Sequence, residues 1–167
     1  MNLEQRIVEY WNAQPCNINH GTSPIGTKEF FAEVSERRFR VEPHMREFAG
    51  YHMWQGKRVL EIGTGIGTEA EEFSKHGAEY VGIDISDVSI GLCKQRFNVL
   101  GLPGEFHVRN VQDDLSDLGQ FDLVYSCGVI HHFPNIELSL ENMHKALTPG
   151  GELRLLVYAK NSWKMSM

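Results

Sequence analysis

The residues best placed to do chemistry are three glycines at alternate positions, Gly63, Gly65 and Gly67, which directly follow the apolar run Val59-Leu60-Glu61-Ile62. Glycine lets the main chain take positive φ and lets a ligand approach without meeting a Cβ, and a helix starting there offers free N–H donors. Seventeen residues after Gly67 stands Asp84, at the end of Val81-Gly82-Ile83-Asp84. A carboxylate there presents two acceptor oxygens at a spacing that matches the two hydroxyls of a ribose. The same pattern also fits a merely tight strand-to-helix turn, with Asp84 assisting the start of the next helix.

Two adjacent imidazoles, His131 and His132, form a second candidate. Their ordinary pKa lies near neutral pH, so either could remove a proton from a substrate, and either could equally pack or orient its loop. They do not suggest a metal site. Adjacent side chains in an extended segment point opposite ways, and no acid or second histidine stands at chelating spacing. The three cysteines, Cys16, Cys93 and Cys127, are odd in number and share no CxxC spacing, so reduced thiols are expected.

Charge discriminates among nucleotides. A pyrophosphate would lie against the first helical turn after the glycines, and that turn reads Thr68-Glu69-Ala70-Glu71-Glu72. Glu61 is likewise a poor neighbour for phosphate and a good one for a ligand bearing an ammonium and a sulfonium. Position 68, where a dinucleotide GxGxxG fingerprint needs its last glycine, is Thr. These features favour a cationic nucleoside, although acids in a first turn are also ordinary dipole stabilisers.

The elements that must position these groups follow from periodicity. Residues 1–56 are rich in aromatic and charged side chains, and Leu3, Ile7, Tyr10 and Trp11 share one face of a first helix. A loop is expected from Pro15 to Gly26, then a helix capped by Thr27 and carrying Phe30, Phe31 and Val34. A short helix is expected around Met45 to Trp54. Tyr10, Trp11, Phe30, Phe31 and Phe39 read as the core of this helical cap or as the roof of a pocket. Arg37, Arg38 and Arg40, beside Glu33, Glu36 and Glu42, read as a solvated helix face.

From Lys57 onward, RVLEI, YVGIDI, EFHVRN, FDLVYSC and ELRLLVY alternate with amphipathic stretches. One of these runs from Ser86 to Gly101, and another from Ile136 to Leu147 ahead of Pro149-Gly150-Gly151. Strands joined by crossover helices imply a Rossmann-like, doubly wound, mostly parallel sheet, with ligands at the carboxyl ends of its strands. The organisation expected is a cap over 1–56 and a ligand-binding α/β unit over 57–167.

VLEIGTGIGTEA, the acid of GIDIS, FDLVYSCGVIHHFPN and LTPGGELRLLV, in that order, resemble the class I S-adenosylmethionine-dependent methyltransferases, and most closely their small-molecule, type 11/12-like branch. The resemblance covers about Lys57 to Tyr158. It implies methyl transfer to a small-molecule acceptor, with S-adenosyl-L-methionine as cofactor and S-adenosyl-L-homocysteine as product. Glu61, Gly63, Thr64, Gly65 and Gly67 would then line the methionine part, Asp84 the ribose and Ile85 the adenine, with Cys127 facing the methionine end through its backbone. Where the family commonly has an acid and a small residue for the adenine amino group, this chain has Asn110 and Val111, with Asp113 as the alternative. His132 or His131 would stand at the acceptor pocket. The rival functions are a noncatalytic binding domain and an NAD-dependent oxidoreductase.

Sixteen Lys plus Arg against 22 Asp plus Glu give a net charge of −6 over 167 residues, which opposes nonspecific binding to nucleic acid or an anionic membrane. With no secretion signal or membrane-spanning run, a cytoplasmic address is expected. The resembling fold adds two further strands after the fifth. Their apparent absence would leave the fifth strand as an edge, which implies either a shortened chain or a homodimer formed along that edge.

Overall fold

A parallel sheet covered on both faces requires strands that are apolar throughout. In the computed structural model, which describes residues 3–159, the first such strand is β1 (Arg58–Ile62), buried from Val59 onward. It is followed by β2 (Glu79–Asp84), β3 (Glu105–Val108), β4 (Phe121–Cys127) and β5 (Leu147–Leu156). All pair in parallel in the order β3-β2-β1-β4-β5. The strand order reverses between β1 and β4, so the glycine turn after β1 stands at the switch point where such sheets open a crevice. Among the described residues β5 is an edge strand, with Leu153 and Val157 exposed. Residues 160–167, on which the expectation about the end of the chain partly rests, lie outside the described residues.

The helices are α1 (Leu3–Ala13), α2 (Lys28–Val41), α3 (His44–Ala49), α4 (Thr68–Lys75), α5 (Asp87–Leu100) and α6 (Ile136–Lys145). The expected caps form. Thr27 Oγ1 accepts from the Phe30 amide at 3.2 Å, Ser86 Oγ accepts from that of Ser89 at 3.0 Å, and Gly101 ends α5 at φ 65°. Among the described residues none forms a helix long and apolar enough to cross a membrane.

Two boundaries differ from expectation. The helix expected over Met45–Trp54 is divided, because Gly50 stops α3 at φ 57° and Tyr51–Trp54 continue as a 3-10 turn. The helix expected to reach Leu147 ends at Lys145, and Leu147 already pairs with Phe121. Pro149-Gly150-Gly151 thus lie inside β5. A proline lacks the N–H a ladder needs, so it is tolerated on an edge strand, and the register shifts between Phe121 and Leu123.

One core layer packs Met45, Tyr51, Trp54, Phe73, Tyr80 and Tyr125 between the sheet and α3, α4 and α5. The other packs Leu60, Ile83, Phe121, Val124, Ile130 and Met143 beneath α6. A third cluster, Phe30, Phe31, Val34 and Ile66, seats α2 on the glycine turn. Beside it lies Arg96, with no exposed surface. Its Nε donates to Glu71 at 2.8 Å, Nη1 to the Ile66 carbonyl at 3.0 Å and Thr68 Oγ1 at 2.9 Å, and Nη2 to the Phe31 carbonyl at 2.8 Å and Ser35 Oγ at 2.6 Å. Five donors therefore meet five acceptors from α2, the glycine turn and α4.

The loop ahead of α2 is held by Glu33, whose carboxylate accepts from Ser23 Oγ at 2.6 Å and from the amides of Thr22 and Ser23 at 2.5 and 3.0 Å. The Ser23 hydroxyl first, and then these amides, lower its pKa from 4.5 to about 2.

Removing one partner of a buried ion pair costs about 3–5 kcal/mol. Arg96→Met should therefore lower the urea midpoint by that equivalent, read from equilibrium unfolding at pH 7. Because the folded-state pKa of Glu33 is depressed, its contribution is complete above 4.5 and fades as pH falls from 4.5 toward 2. Glu33→Gln should lower Tm at pH 7, and thermal melts should show the gap from the parent closing across that interval.

Candidate functional site

The carboxyl ends of all five strands, or the residues just after them, border one cavity. Arg109 and Val111 follow β3, Asp84 and Ile85 end β2, Gly63 and Gly65 follow β1, Cys127, Gly128 and Val129 end β4, and Leu156 and Tyr158 end β5. Helices close it from above. Ile7 and Trp11 of α1 lie over it, with the Trp11 ring 5.6 Å from that of His132 after β4, while Arg38 and Glu42 from the end of α2, with His44 and Met45, cover the side nearer β4 and β5. Cys16, from the loop between α1 and α2, faces the glycine turn.

The turn is shaped by positive φ at Gly63 (79°), Gly65 (54°) and Gly67 (82°). A Cβ on Gly63 would stand 2.3 Å from Val129 Cγ2, and one on Gly67 would stand 2.5 Å from Cys93 Sγ. Asp84 fixes the turn from across the crevice, accepting from the Gly65 amide at 2.9 Å and from the Ser86 amide at 2.9 Å. Burial raises its pKa, and the amides of Ser86, Gly65 and Ile85 oppose that rise. A carboxylate has about four acceptor positions, so even with all three amides Asp84 keeps acceptor capacity.

Of the residues singled out in the sequence, Gly63, Gly65, Asp84, Ile85, Val111, Cys127 and His132 border the cavity. Glu61, Thr64, Gly67, Asn110 and His131 lie outside its lining. Glu61 is buried beneath the turn and accepts from the Tyr80 hydroxyl at 2.5 Å, while Thr64 Oγ1 lies 2.7 Å from the same hydroxyl. Burial first, and Glu69 next, raise the Glu61 pKa well above its usual value. Asn110 Nδ2 donates to Glu4 at 2.7 Å, and Asn110 Oδ1 accepts from the Gln112 amide at 2.9 Å. The His131 ring packs 4.1 Å from that of His132 and 4.7 Å from that of Tyr158. Burial lowers the pKa of both histidines, that of His131 to about 4 with help from His132, while hydrogen bonding to the Gly128 backbone resists the shift at His132. Among the described residues no group of three His, Cys, Asp or Glu could hold a metal ion.

Two readings change. Arg38 does not belong to a solvated face. It pairs with Glu42, donates to Glu69 from Nε at 2.9 Å and Nη2 at 2.8 Å, and lies 3.6 Å from Cys127 Sγ. Its sequence signal was position, because Phe31, Val34 and Arg38 fall at i, i+3 and i+7, on the buried face of α2. The repulsion expected of the acids in α4 is also neutralised, since Glu69 pairs with Arg38, Glu71 with Arg96 and Lys75, and Glu72 with Arg46. The aromatic residues divide between the two roles considered. Phe30, Phe31 and Phe39 are core, Trp11 borders the cavity, and Tyr10 is exposed.

Residues 60–153, more than half of the chain, match the family model described as a methyltransferase domain. The chain is 33% identical over 98 residues to a ubiquinone biosynthesis O-methyltransferase of Rhizobium etli, covering 58% of this chain and 39% of that protein. It is 36% identical over 103 residues to a fatty-acid O-methyltransferase of Mycolicibacterium smegmatis, covering 58% and 35%. It thus spans about two fifths of the length of these curated relatives. The crystal structure of magnesium protoporphyrin IX methyltransferase from Synechocystis PCC 6803 with bound SAM shares the fold at a TM-score of 0.67 and 18% identity, covering 88% of this chain and 73% of that one.

Gly56 and Gly63 both have positive φ, but a Cβ on Gly56 meets nothing within 4 Å. Gly56→Ala should therefore lose only the left-handed backbone cost of about 1–2 kcal/mol. Gly63→Ala should lose more, and chemical denaturation of the two variants side by side reads the difference.

Proposed function

Since this chain belongs to the methyltransferase-domain family, we propose that it binds S-adenosyl-L-methionine along the carboxyl ends of its strands and forms part of an enzyme that methylates a small molecule. On this reading residues 1–56 are the cap and 57–167 the cofactor-binding unit. The observation that carries it is the order of groups along the cavity. A carboxylate with acceptor capacity, Asp84, stands beside a backbone turn free of Cβ atoms, and an ion pair, Arg38 with Glu42, stands at the far end.

That order fits the ligand part by part. Asp84 accepts from the ribose hydroxyls. Ile85 and Val111 give the base an apolar bed, and Gly63 and Gly65 admit the methionine chain against the backbone. The Arg38–Glu42 pair presents both signs of charge to the α-carboxylate and α-ammonium groups. Glu61 acts one layer below, holding Tyr80 and, through it, Thr64 under the turn.

When bound, the ligand supplies a methyl group on a sulfonium, open to in-line displacement. The protein then holds the acceptor in line and keeps water away, which by itself lowers the barrier substantially. Met45, Phe133, Leu156 and Trp11 make that end of the cavity largely apolar. His132 borders it with a depressed pKa and is neutral at pH 7. With one ring nitrogen donating to Gly128, the other keeps a lone pair to take the acceptor's proton. His131 packs behind His132 and sets the angle of its ring.

Calorimetric titration with S-adenosylmethionine, S-adenosylhomocysteine and, as control, NADH tests the reading. The first two should bind and the third should not, and NADH binding alone would overturn it. Asp84→Ala should weaken S-adenosylhomocysteine by about 1–3 kcal/mol, because a charged acceptor is lost. Unchanged affinity would remove Asp84 from the ribose.

A further inference from the structure

Two tyrosine hydroxyls are buried in the core without a protein partner. Tyr51, in the 3-10 turn after α3, is 3% exposed and Tyr125, in β4, is 0% exposed, and among the described residues neither hydroxyl meets a donor or an acceptor. They therefore do not bond to each other. A buried hydroxyl left unmet is costly, and buried polar groups are nearly always satisfied by protein or by ordered water. Both rings pack on Phe73 of α4, at centroid distances of 4.8 and 5.3 Å. Glu69 lies one helical turn before Phe73 on the same face of α4. On the sheet side Tyr125 stands opposite Glu61 in the register of β1 with β4, and Cys127, two residues on, faces the same way and lies 3.6 Å from Arg38 Nη2. Burial first, and then the Glu69 charge, raises the pKa of both hydroxyls, and Glu61 adds to the rise at each. The two hydroxyls and the two carboxylates thus converge on one region behind the pair of Arg38 with Glu69. Neither acid is saturated. Both Arg38 hydrogen bonds go to Glu69 Oε1, and Glu61 accepts from Tyr80 through Oε2, so each keeps acceptor capacity.

We propose that Tyr51, Tyr125 and Glu69 enclose a binding site for one water molecule, and that through this water the two tyrosines position the Glu69 carboxylate on which Arg38 rests. The water accepts from both hydroxyls and donates to Glu69, and its second hydrogen faces Glu61. That gives it the three or four polar partners that hold a buried water. Arg38 is thereby tied through Glu69 to the 3-10 turn after α3 and to β4. The water site stands on the fold alone, and its effect on a ligand rests on the reading of Arg38 given above.

A crystal structure of the full chain, at a resolution that shows ordered water, should place one molecule within hydrogen-bond distance of both hydroxyls and Glu69. Hydroxyls that bond to each other, bond straight to a carboxylate or stay unmet would overturn the site. Thermal melts of Tyr51→Phe and Tyr125→Phe check it independently. Removing a hydroxyl met by water lowers Tm, whereas removing an unmet one raises it, and a raised Tm would count against the site. The positioning role is read by calorimetric titration of the parent and both variants with S-adenosylhomocysteine and with 5′-methylthioadenosine, which lacks the amino-acid end. Each variant should lose about threefold to tenfold in affinity for the first, the equivalent of one hydrogen bond, and stay within about twofold for the second. Equal losses on both compounds, or none on either, would overturn the positioning role. Failure of the parent to bind either compound would overturn the reading of Arg38 and the positioning role with it, while the crystal structure and the melts still decide the site.

Discussion

The buried guanidinium of Arg96 is the constraint on which the site depends. A charge fully removed from water is tolerated only when every donor is met and an opposite charge is close. Meeting five donors at once requires the end of the glycine turn, the first turn of α4 and the middle of α2 to occupy one mutual arrangement. The cap is therefore fixed on the turn by hydrogen bonds with directions as well as by the apolar contact of Phe31 and Val34 with Ile66. Burial lowers the Arg96 pKa, and the adjacent Glu71 carboxylate opposes that fall.

Fixing α2 there delivers its last turn to the cavity. Arg38 reaches Glu69 in the first turn of α4 and Glu42 on its own helix, and its guanidinium lies beside Cys127 at the end of β4. Asp84 performs the matching task on the other side of β1, joining the glycine turn to the start of α5 through two amides. The turn is thus held from both flanks. The wall left between them is backbone, because three successive odd positions have φ values that disfavour any side chain.

The two sides of the cavity are held differently. The side nearer β4 and β5 is roofed by α2 and α3, whose Met45 and Phe39 belong to the main core. The side nearer β3 is roofed by α1, which rests on three exposed or part-buried hydrogen bonds to side chains, on the half-buried Ile7 and Trp11, and on the packing of Trp11 against His132. The free energy that opens a segment scales with what it buries, and α1 contributes no buried side chain.

Much of this was legible in the sequence because it is local. Strands β1 and β4 begin and end where the β-branched runs do, the caps at Thr27 and Ser86 use their own side chains, and the glycine turn with Asp84 is set by spacing along one β-α-β unit. Boundaries that depend on a partner were not legible. Leu147 joins β5 because Phe121 lies opposite, and the apparent helix stop Pro149-Gly150-Gly151 is absorbed by an edge strand. Charge was the least legible of all. Glu69, Glu71 and Glu72 read as a repulsive helix start, yet their partners Arg38, Arg96 and Arg46 are 31, 25 and 26 residues away. Sequence alone determined the fold class, the turn and the acid opposite it, because backbone conformation and hydrophobic period act over a few residues. Only the tertiary structure decided which charges are paired and which face of the cap meets the cavity, because Coulombic and hydrogen-bond partners are chosen by proximity in space.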